Sequence, residues 1–422
     1  MHDLKKEEDA AVLAGIDSDG NIEVSMAELA ELASTAEIKV AGSLTQKRER
    51  PSPATYLGKG KLDELEELVL EHEPTMLIFN DELTPAQFRN LSERFSCNII
   101  DRTLLILDIF AMRARSAEGK LQVELAQLRY RLSRLSGMGK MLSRLGGGIG
   151  TRGPGETKLE TDRRHIRSRL NNLEAELKEI RKTRETMRKK RERRGKFQAS
   201  LVGYTNAGKS SIMNLLTAED GGVYVANKLF ATLDTTMRRV ELPGGTEILL
   251  SDTVGFIERL PHHLVKAFRA TLEELDYADV LIFVVDASSP NREQHMAVVM
   301  QTLADLDFNN KKTILVFNKM DKPEIELPLP TLDALKAERT IEVSAVTGAG
   351  QDTLLDALEE IANSGKTRLS VLIPYAQSRI VSFIHENCEI LEESHEEDGT
   401  LFELIVDEEA RNRLGVYKVA LV

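Results

Sequence analysis

One stretch restricts the folds open to this chain more than any other: Gly203, Tyr204, Thr205, Asn206, Ala207, Gly208, Lys209 and Ser210 in succession. The apolar run from Phe197 to Val202 before it reads as a strand, and Ser211 to Leu216 after it reads as the start of a helix. A strand joined to a helix by such a turn aims the turn's N–H groups and the helix N-terminus at one spot, where the helix dipole favours an anion. Gly203 and Gly208 permit backbone angles and a close approach that a Cβ would obstruct. Lys209 is then placed to reach the β and γ phosphates of a nucleotide, and the Ser210 hydroxyl to ligate Mg2+. A loop of this kind lies at the carboxyl ends of a doubly wound, mostly parallel sheet, so residues 196–365 are expected to form an α/β nucleotide domain.

Three further motifs follow in order. Asp252, Thr253, Val254 and Gly255 close a second apolar strand that runs from Ile248 to Ser251. The Asp252 carboxylate is placed to hold the metal, and the Gly255 N–H to sense the γ-phosphate. Asn318, Lys319, Met320 and Asp321 follow the apolar strand from Thr313 to Phe317. A buried carboxylate at Asp321 would accept both N–H donors of a guanine edge, which adenine lacks, so leaving it unpaired would reject ATP. Lys319 would lie along the base, and Ser344, Ala345 and Val346 would close its other side with backbone donors. Each piece alone fits a structural turn. The ordered set points to a domain that binds GTP and hydrolyses it to GDP and phosphate.

The chemistry of hydrolysis is less direct. A Gln often follows the glycine of the second motif and positions the attacking water. Here that residue is Phe256, which cannot hydrogen-bond water, so intrinsic turnover is expected to be slow or to borrow groups from elsewhere. Asn206 has the spacing to help hold a monovalent cation, K+, against the phosphates; it equally fits a role in stabilising the turn. The stretch Phe230, Ala231, Thr232, Leu233, Asp234, Thr235 and Thr236 is the expected first switch, in which a Thr covers Mg2+ and releases it when the γ-phosphate leaves.

Upstream lies a different pattern. Leu121, Leu125, Leu128, Leu132 and Leu135 repeat at intervals of 4, 3, 4 and 3, and Ile166, Leu170, Leu173, Leu177 and Ile180 repeat identically. Two matching heptad stripes describe an antiparallel helical hairpin across residues 113–195, with 146–155 as its tip. The tip holds six glycines in ten residues and carries Arg152, with Arg144 and Lys158 beside it. Ordering so many glycines costs entropy and buries little, which suits a backbone that must approach a crowded surface closely. Residues 110–196 carry 25 Lys and Arg against 10 Asp and Glu, while the chain as a whole is at −12. A solvated helix face is one reading of that charge. Together with the glycines it favours contact with RNA phosphates and shape over base reading, since aromatic residues are nearly absent from the tip.

Residues 1–112 alternate strand and helix patterns, with strands expected at Ala11–Ala14, Ile38–Ala41, Thr75–Phe79 and Asn98–Ile100, and helices at Lys61–Glu71 and Pro85–Phe95. That describes a small α/β domain. Its run from Leu57 to Lys61 fits a structural or RNA-contacting turn better than a second phosphate loop. Residues 366–422 read as a small α+β domain without visible chemistry. Cys97 and Cys388 are far apart and flank no ligand pattern, as ordinary thiols of a reducing cytoplasm would be. No transmembrane segment, signal peptide or zinc spacing is visible, and a monomer is expected.

The chain resembles the HflX family of ribosome-associated GTPases. The likeness rests on Gly203–Ser210, Phe230–Asp234, Asp252–Phe256 and Asn318–Asp321, and on two upstream stretches, Glu118–Leu128 and Gly147–Thr157. It implies a cytoplasmic protein that binds the large ribosomal subunit and splits stalled or idle ribosomes under stress, with GTP controlling how the hairpin docks on ribosomal RNA. It also implies Thr232 as the switch residue that covers the metal. Thr235 departs from the family pattern, which often has Pro there. A large-subunit assembly GTPase, or a non-catalytic RNA-binding scaffold that takes GTP as a ligand, remain alternatives.

Overall fold

Strands that are apolar on both faces need a helical layer on each side, and among the described residues two of three sheets have such strands at their centre. A computed structural model describes residues 9–18, 20–145, 154–192, 197–217, 229–230, 236–259, 275–308, 310–330, 337–364, 367–406 and 408–419.

The first sheet is parallel, in the order β2 (Lys39–Lys47), β1 (Ala10–Asp17), β3 (Met76–Phe79), β4 (Asn98–Asp101). Side chains alternate along β1 as the pleat requires. Ala11 and Leu13 pack toward α1 (Ile22–Thr35) and α4 (Arg102–Arg113), and Val12 and Ala14 toward α2 (Lys59–His72) and α3 (Pro85–Arg94). Helix α3 starts on a reciprocal cap between Thr84 and Gln87, with Pro85 in its first turn. Gly58 caps α2 and gives its N–H to Gln46 Oε1 at 2.8 Å, so the turn expected from Leu57 to Lys61 is tied into the fold.

The hairpin is α5 (Ala117–Leu145) and α6 (Pro154–Glu192). Leu125, Leu170, Leu173 and Leu177 form its buried seam, with Leu121, Leu128, Leu132 and Ile166 packed around them. Arg169 pairs with Glu124 across the seam at 2.7 Å, and Arg129 with Glu174 at 2.7 Å. The tip is shorter than expected. Pro154 and Gly155 already belong to α6, because proline at a first helical position is preset in φ and has no N–H to leave unpaired. Residues 146–153, Arg152 among them, and the side chains of Leu135, Arg144 and Lys158 lie outside the described residues.

The root of the hairpin is fastened by one carboxylate. Asp101 is fully buried. It accepts from the Leu83 and Leu104 N–H groups at 2.9 Å, from the Tyr130 hydroxyl at 2.8 Å and from the Arg134 guanidinium. Arg134 also lies over the Tyr130 ring, 4.0 Å from its centroid. A buried carboxylate is tolerated only when its oxygens find donors, and both oxygens of Asp101 do.

The nucleotide-binding sheet has the order β10 (Arg339–Glu342), β9 (Lys312–Asn318), β8 (Val280–Asp286), β5 (Gln198–Gly203), β7 (Glu247–Asp252), β6 (Thr236–Glu241), and only β6 is antiparallel. One face packs on α7 (Lys209–Leu216) and α9 (Gln351–Asn363). The other packs on α8 (Arg292–Asp305), and its apolar cluster continues into α1, α4 and α5. Phe110 of α4 meets Phe230 edge to face at 4.6 Å. The last sheet is antiparallel, β11 (Thr367–Ile373), β13 (Gly399–Val406), β12 (Glu389–Glu396), and Ile384 of α10 (Ser378–Asn387) is buried against it. Among the described residues no helix is long and apolar enough to cross a membrane.

Candidate functional site

The loop from Gly203 to Ser210 joins β5 to α7, at the carboxyl end of the sheet. Gly208 caps α7 at φ 95°, and a Cβ there would lie 2.1 Å from Asn318 Nδ2. That crowding has a purpose. Asn318 is buried at the end of β9, donates from Nδ2 to the Ala207 carbonyl at 3.0 Å and accepts the Ala345 N–H on Oδ1 at 3.1 Å. One amide thus pins the phosphate loop to both loops that were expected to read the base.

Lys209 is buried, and its ammonium donates to the Gly203 and Tyr204 carbonyls at 3.1 and 2.8 Å. Burial pushes it down to about 8, with the Asp252 charge opposing. Ser210 Oγ donates to Asp252 Oδ2 at 2.6 Å, where β7 ends with that carboxylate fully buried. A hydroxyl and a carboxylate oxygen converging in this way are hard donors of the kind Mg2+ prefers. Thr253 anchors the second motif by donating to the Leu201 carbonyl at 2.7 Å, and Val254 is buried beside it. Gly255 lies flat on the phosphate loop. A Cβ on it would stand 2.8 Å from Thr205 Cα and 2.9 Å from Lys209 Nζ.

One expectation changes here, and the setting of a second residue becomes explicit. Phe256 gives no side chain to the site: its ring is buried in the apolar cluster shared with Val202 and Tyr204. Its backbone is zipped to the phosphate loop, Thr205 N–H to Phe256 O at 2.8 Å and Phe256 N–H to Gly203 O at 3.1 Å. Asp321 is exposed rather than buried. Its carboxylate accepts from Ser344 Oγ at 2.7 Å, and that bond holds it below the usual carboxylate range. Rejection of ATP by a desolvated carboxylate therefore has no support in the protein alone; what remains is an acceptor aimed by Ser344.

Lys319, at φ 65°, pairs with Asp286 at 2.6 Å, and Met320 is half-buried against the main core. The Ala345 N–H is committed to Asn318, while Val346 is 82% exposed. Asn206 is exposed at φ 60°, a left-handed turn position that Asn tolerates well. Phe230, expected to line the nucleotide, is buried against Phe110. Ala231, Thr232, Leu233 and Asp234 lie outside the described residues.

Spacing in the sequence did not single out a second set of residues. The Tyr204 ring stacks on His295 of α8 at 3.9 Å, and its hydroxyl donates to the Glu28 carboxylate of α1. Arg102 pairs with Glu28 and donates to the Glu258 carbonyl at 3.2 Å. A cavity of about 260 Å3 opens between α1 and the phosphate loop, lined by Glu28, Glu31, Asn206 and Asp286 among others. Three of its carboxylates are engaged: Glu28 by Arg102, Asp286 by Lys319, and Glu258 by Gln294 at 3.1 Å.

Comparison with known proteins agrees with this geometry. Family models match successive parts of the chain: a GTP-binding GTPase N-terminal region over residues 23–111 and its middle region over 113–191. A 50S ribosome-binding GTPase model matches 198–319 and an HflX C-terminal domain model 331–414. The GTPase HflX of Caldanaerobacter subterraneus subsp. tengcongensis is 47% identical over 98% of this chain and 95% of its own. That of Escherichia coli K12 is 42% identical over 89% of this chain and 87% of its own.

Proposed function

The chain belongs to the HflX family of GTPases, and from that premise we propose that it hydrolyses GTP while bound to the large ribosomal subunit and separates the subunits of stalled or idle ribosomes. The observation that carries the nucleotide reading is Asn318. It gathers the phosphate loop at Ala207 and the Ala345 loop around one buried amide. Lys209 then supplies charge to the transferring phosphoryl group, and the Gly255 N–H, pressed on the phosphate loop, registers its presence. Ser210, Asp252 and Thr232 would hold Mg2+, which neutralises charge on the leaving phosphates. Asp321, oriented by Ser344, accepts from the guanine edge. No side chain at Phe256 positions water, so turnover is slow in the free protein and rises when the ribosome completes the site. Ribosome binding is supported by the match of residues 198–319 to the 50S ribosome-binding GTPase family and by the basic hairpin.

Docking of the hairpin tip on ribosomal RNA follows from the same reading, with phosphate contacts that weaken as salt rises. Sedimentation of intact ribosomes after adding protein and GTP tests it: free subunits are expected. Replacing residues 146–153 by a minimal turn leaves GTP affinity unchanged and abolishes splitting. A shortened hairpin that still splits ribosomes would assign that work elsewhere. Ribosome-stimulated turnover without splitting would favour subunit assembly, and no turnover at all would favour a scaffold that only binds GTP.

A further inference from the structure

Tyr204 stands at a position of the phosphate loop where the motif makes no demand on the side chain, yet it is 7% exposed and fully engaged. Its backbone carbonyl holds Lys209 at 2.8 Å, while its hydroxyl accepts the Glu258 N–H at 2.8 Å and donates to Glu28. Glu258 follows Gly255 by three residues. Both of its backbone polar groups are held by side chains: the N–H by Tyr204, and the carbonyl by Arg102 at 3.2 Å. The next residue, Arg259, reaches the first domain as well, donating to Asp81 at 2.9 Å.

Glu28 and Arg102 are themselves fixed. Arg102 is 1% exposed, and its second arm donates to Asn80 Oδ1 at 3.0 Å. Asn80 in turn donates to Ser25 Oγ at 2.8 Å, one turn before Glu28 on α1. Burial pushes the Glu28 carboxyl up and the Arg102 charge opposes that rise, while burial and the Glu28 charge keep the Tyr204 hydroxyl protonated, so it remains a donor.

We propose, on the premise that the chain turns over GTP, that Glu28 is a positioning residue for hydrolysis: across 176 positions of sequence it fixes, with Arg102, Tyr204 and Glu258, the register between the phosphate loop and Gly255. A span of three residues covers at most ~10 Å, so loosening Glu258 passes directly to the Gly255 N–H. A displacement of ~1 Å at such a group can cost about a hundredfold in rate. The affinity for GTP is set elsewhere, by Asn318, Lys209 and the loop amides. Loss of the network therefore slows the chemical step and leaves binding alone.

The test is a double-substitution cycle on the full-length protein, read as kcat and KM for GTP with and without ribosomes, with melting temperatures alongside. Tyr204→Phe keeps the stack on His295 and removes only the hydroxyl; Glu28→Gln keeps volume and an acceptor; Glu28→Ala keeps neither. Tyr204→Phe and Glu28→Ala are each expected to lower kcat roughly tenfold with KM within about twofold, and Glu28→Gln to recover part of that loss. The double variant should fall no further than roughly tenfold, because both changes cut one chain of contacts. Two independent stabilising contacts would instead multiply to roughly a hundredfold, which overturns the proposal, as would a rise in KM with kcat unchanged or full activity in Glu28→Ala. Absence of turnover in the unsubstituted protein would instead sink the GTPase reading on which the proposal stands.

Discussion

Replacing Gly208 by alanine adds one methyl group where the fold has no room for it. The residue sits at φ 95°, and its Cβ would lie 2.1 Å from the amide nitrogen of Asn318. Holding a non-glycine residue in a left-handed conformation costs about 1–2 kcal/mol. The methyl also evicts Asn318, whose amide makes two buried bonds of 3.0 and 3.1 Å to Ala207 and Ala345. Losing those bonds costs about 1 kcal/mol each, or more where a buried partner is left unpaired. The sum is about 3–4 kcal/mol, and it falls on the loop geometry that binds nucleotide, so affinity should drop by roughly two to three orders of magnitude. Asn318→Ala removes the same brace without the backbone strain, for about 2 kcal/mol, or roughly thirtyfold. Titration with a fluorescent GDP analogue, alongside thermal melts, separates lost affinity from lost folding. If Gly208→Ala binds GDP within about threefold of the parent, the reasoning that Asn318 braces the phosphate loop is wrong.

Asp321→Asn should weaken GTP by roughly thirtyfold or more and favour xanthosine triphosphate, whose base edge offers an acceptor; an unchanged preference in competition binding would remove Asp321 from base recognition. If Asn206 helps hold K+, exchanging K+ for Na+ slows single-turnover hydrolysis and Asn206→Ala erases the difference, whereas equal rates in both salts leave Asn206 as a turn residue. Arg169 holds the Glu124 carboxyl below its usual value, so this pairing across the hairpin is present above the unfolded value near 4.5 and is lost as pH falls through the lowered one. Carbon-detected NMR titration of Glu124 should show its midpoint returning upward in Arg169→Ala, and an unmoved midpoint would mean that the ion pair does not persist in solution.

What could be read from the sequence was what repeats or lies close together. The phosphate loop, the ends of β7 and β9 and the leucine stripes of the hairpin are local patterns, and their elements lie where periodicity and turn chemistry put them. What spacing left out concerns residues whose environment is set by distant parts of the chain. Phe256 looked like a blank position beside the nucleotide, but the main-chain zip to Gly203 and Thr205 turns its ring inward. Phe230 looked like part of a switch and is claimed by Phe110, a residue of another domain. Asp321 was expected to be buried because it follows the apolar strand β9, yet the loop after β9 ends at the surface. The contact between Glu28 and Tyr204 leaves no mark on spacing, since nothing in a helix of residues 22–35 announces which side chain will meet a loop from another domain.

The fastening of the hairpin at Asp101 has a mechanical consequence. At ~1.5 Å per residue, Leu145 stands about 22 Å beyond Tyr130, so a tilt of about 10° at the root carries the far end through ~4 Å. Torque runs the other way as well. A load on the far end is borne by Tyr130 and Arg134, whose shared anchor is Asp101, and the next residue along the chain is Arg102, which grips the Glu258 carbonyl. A single peptide unit therefore separates the hinge of a long arm from the strap on the nucleotide loop, and strain gathered far from GTP has a short, stiff path to it.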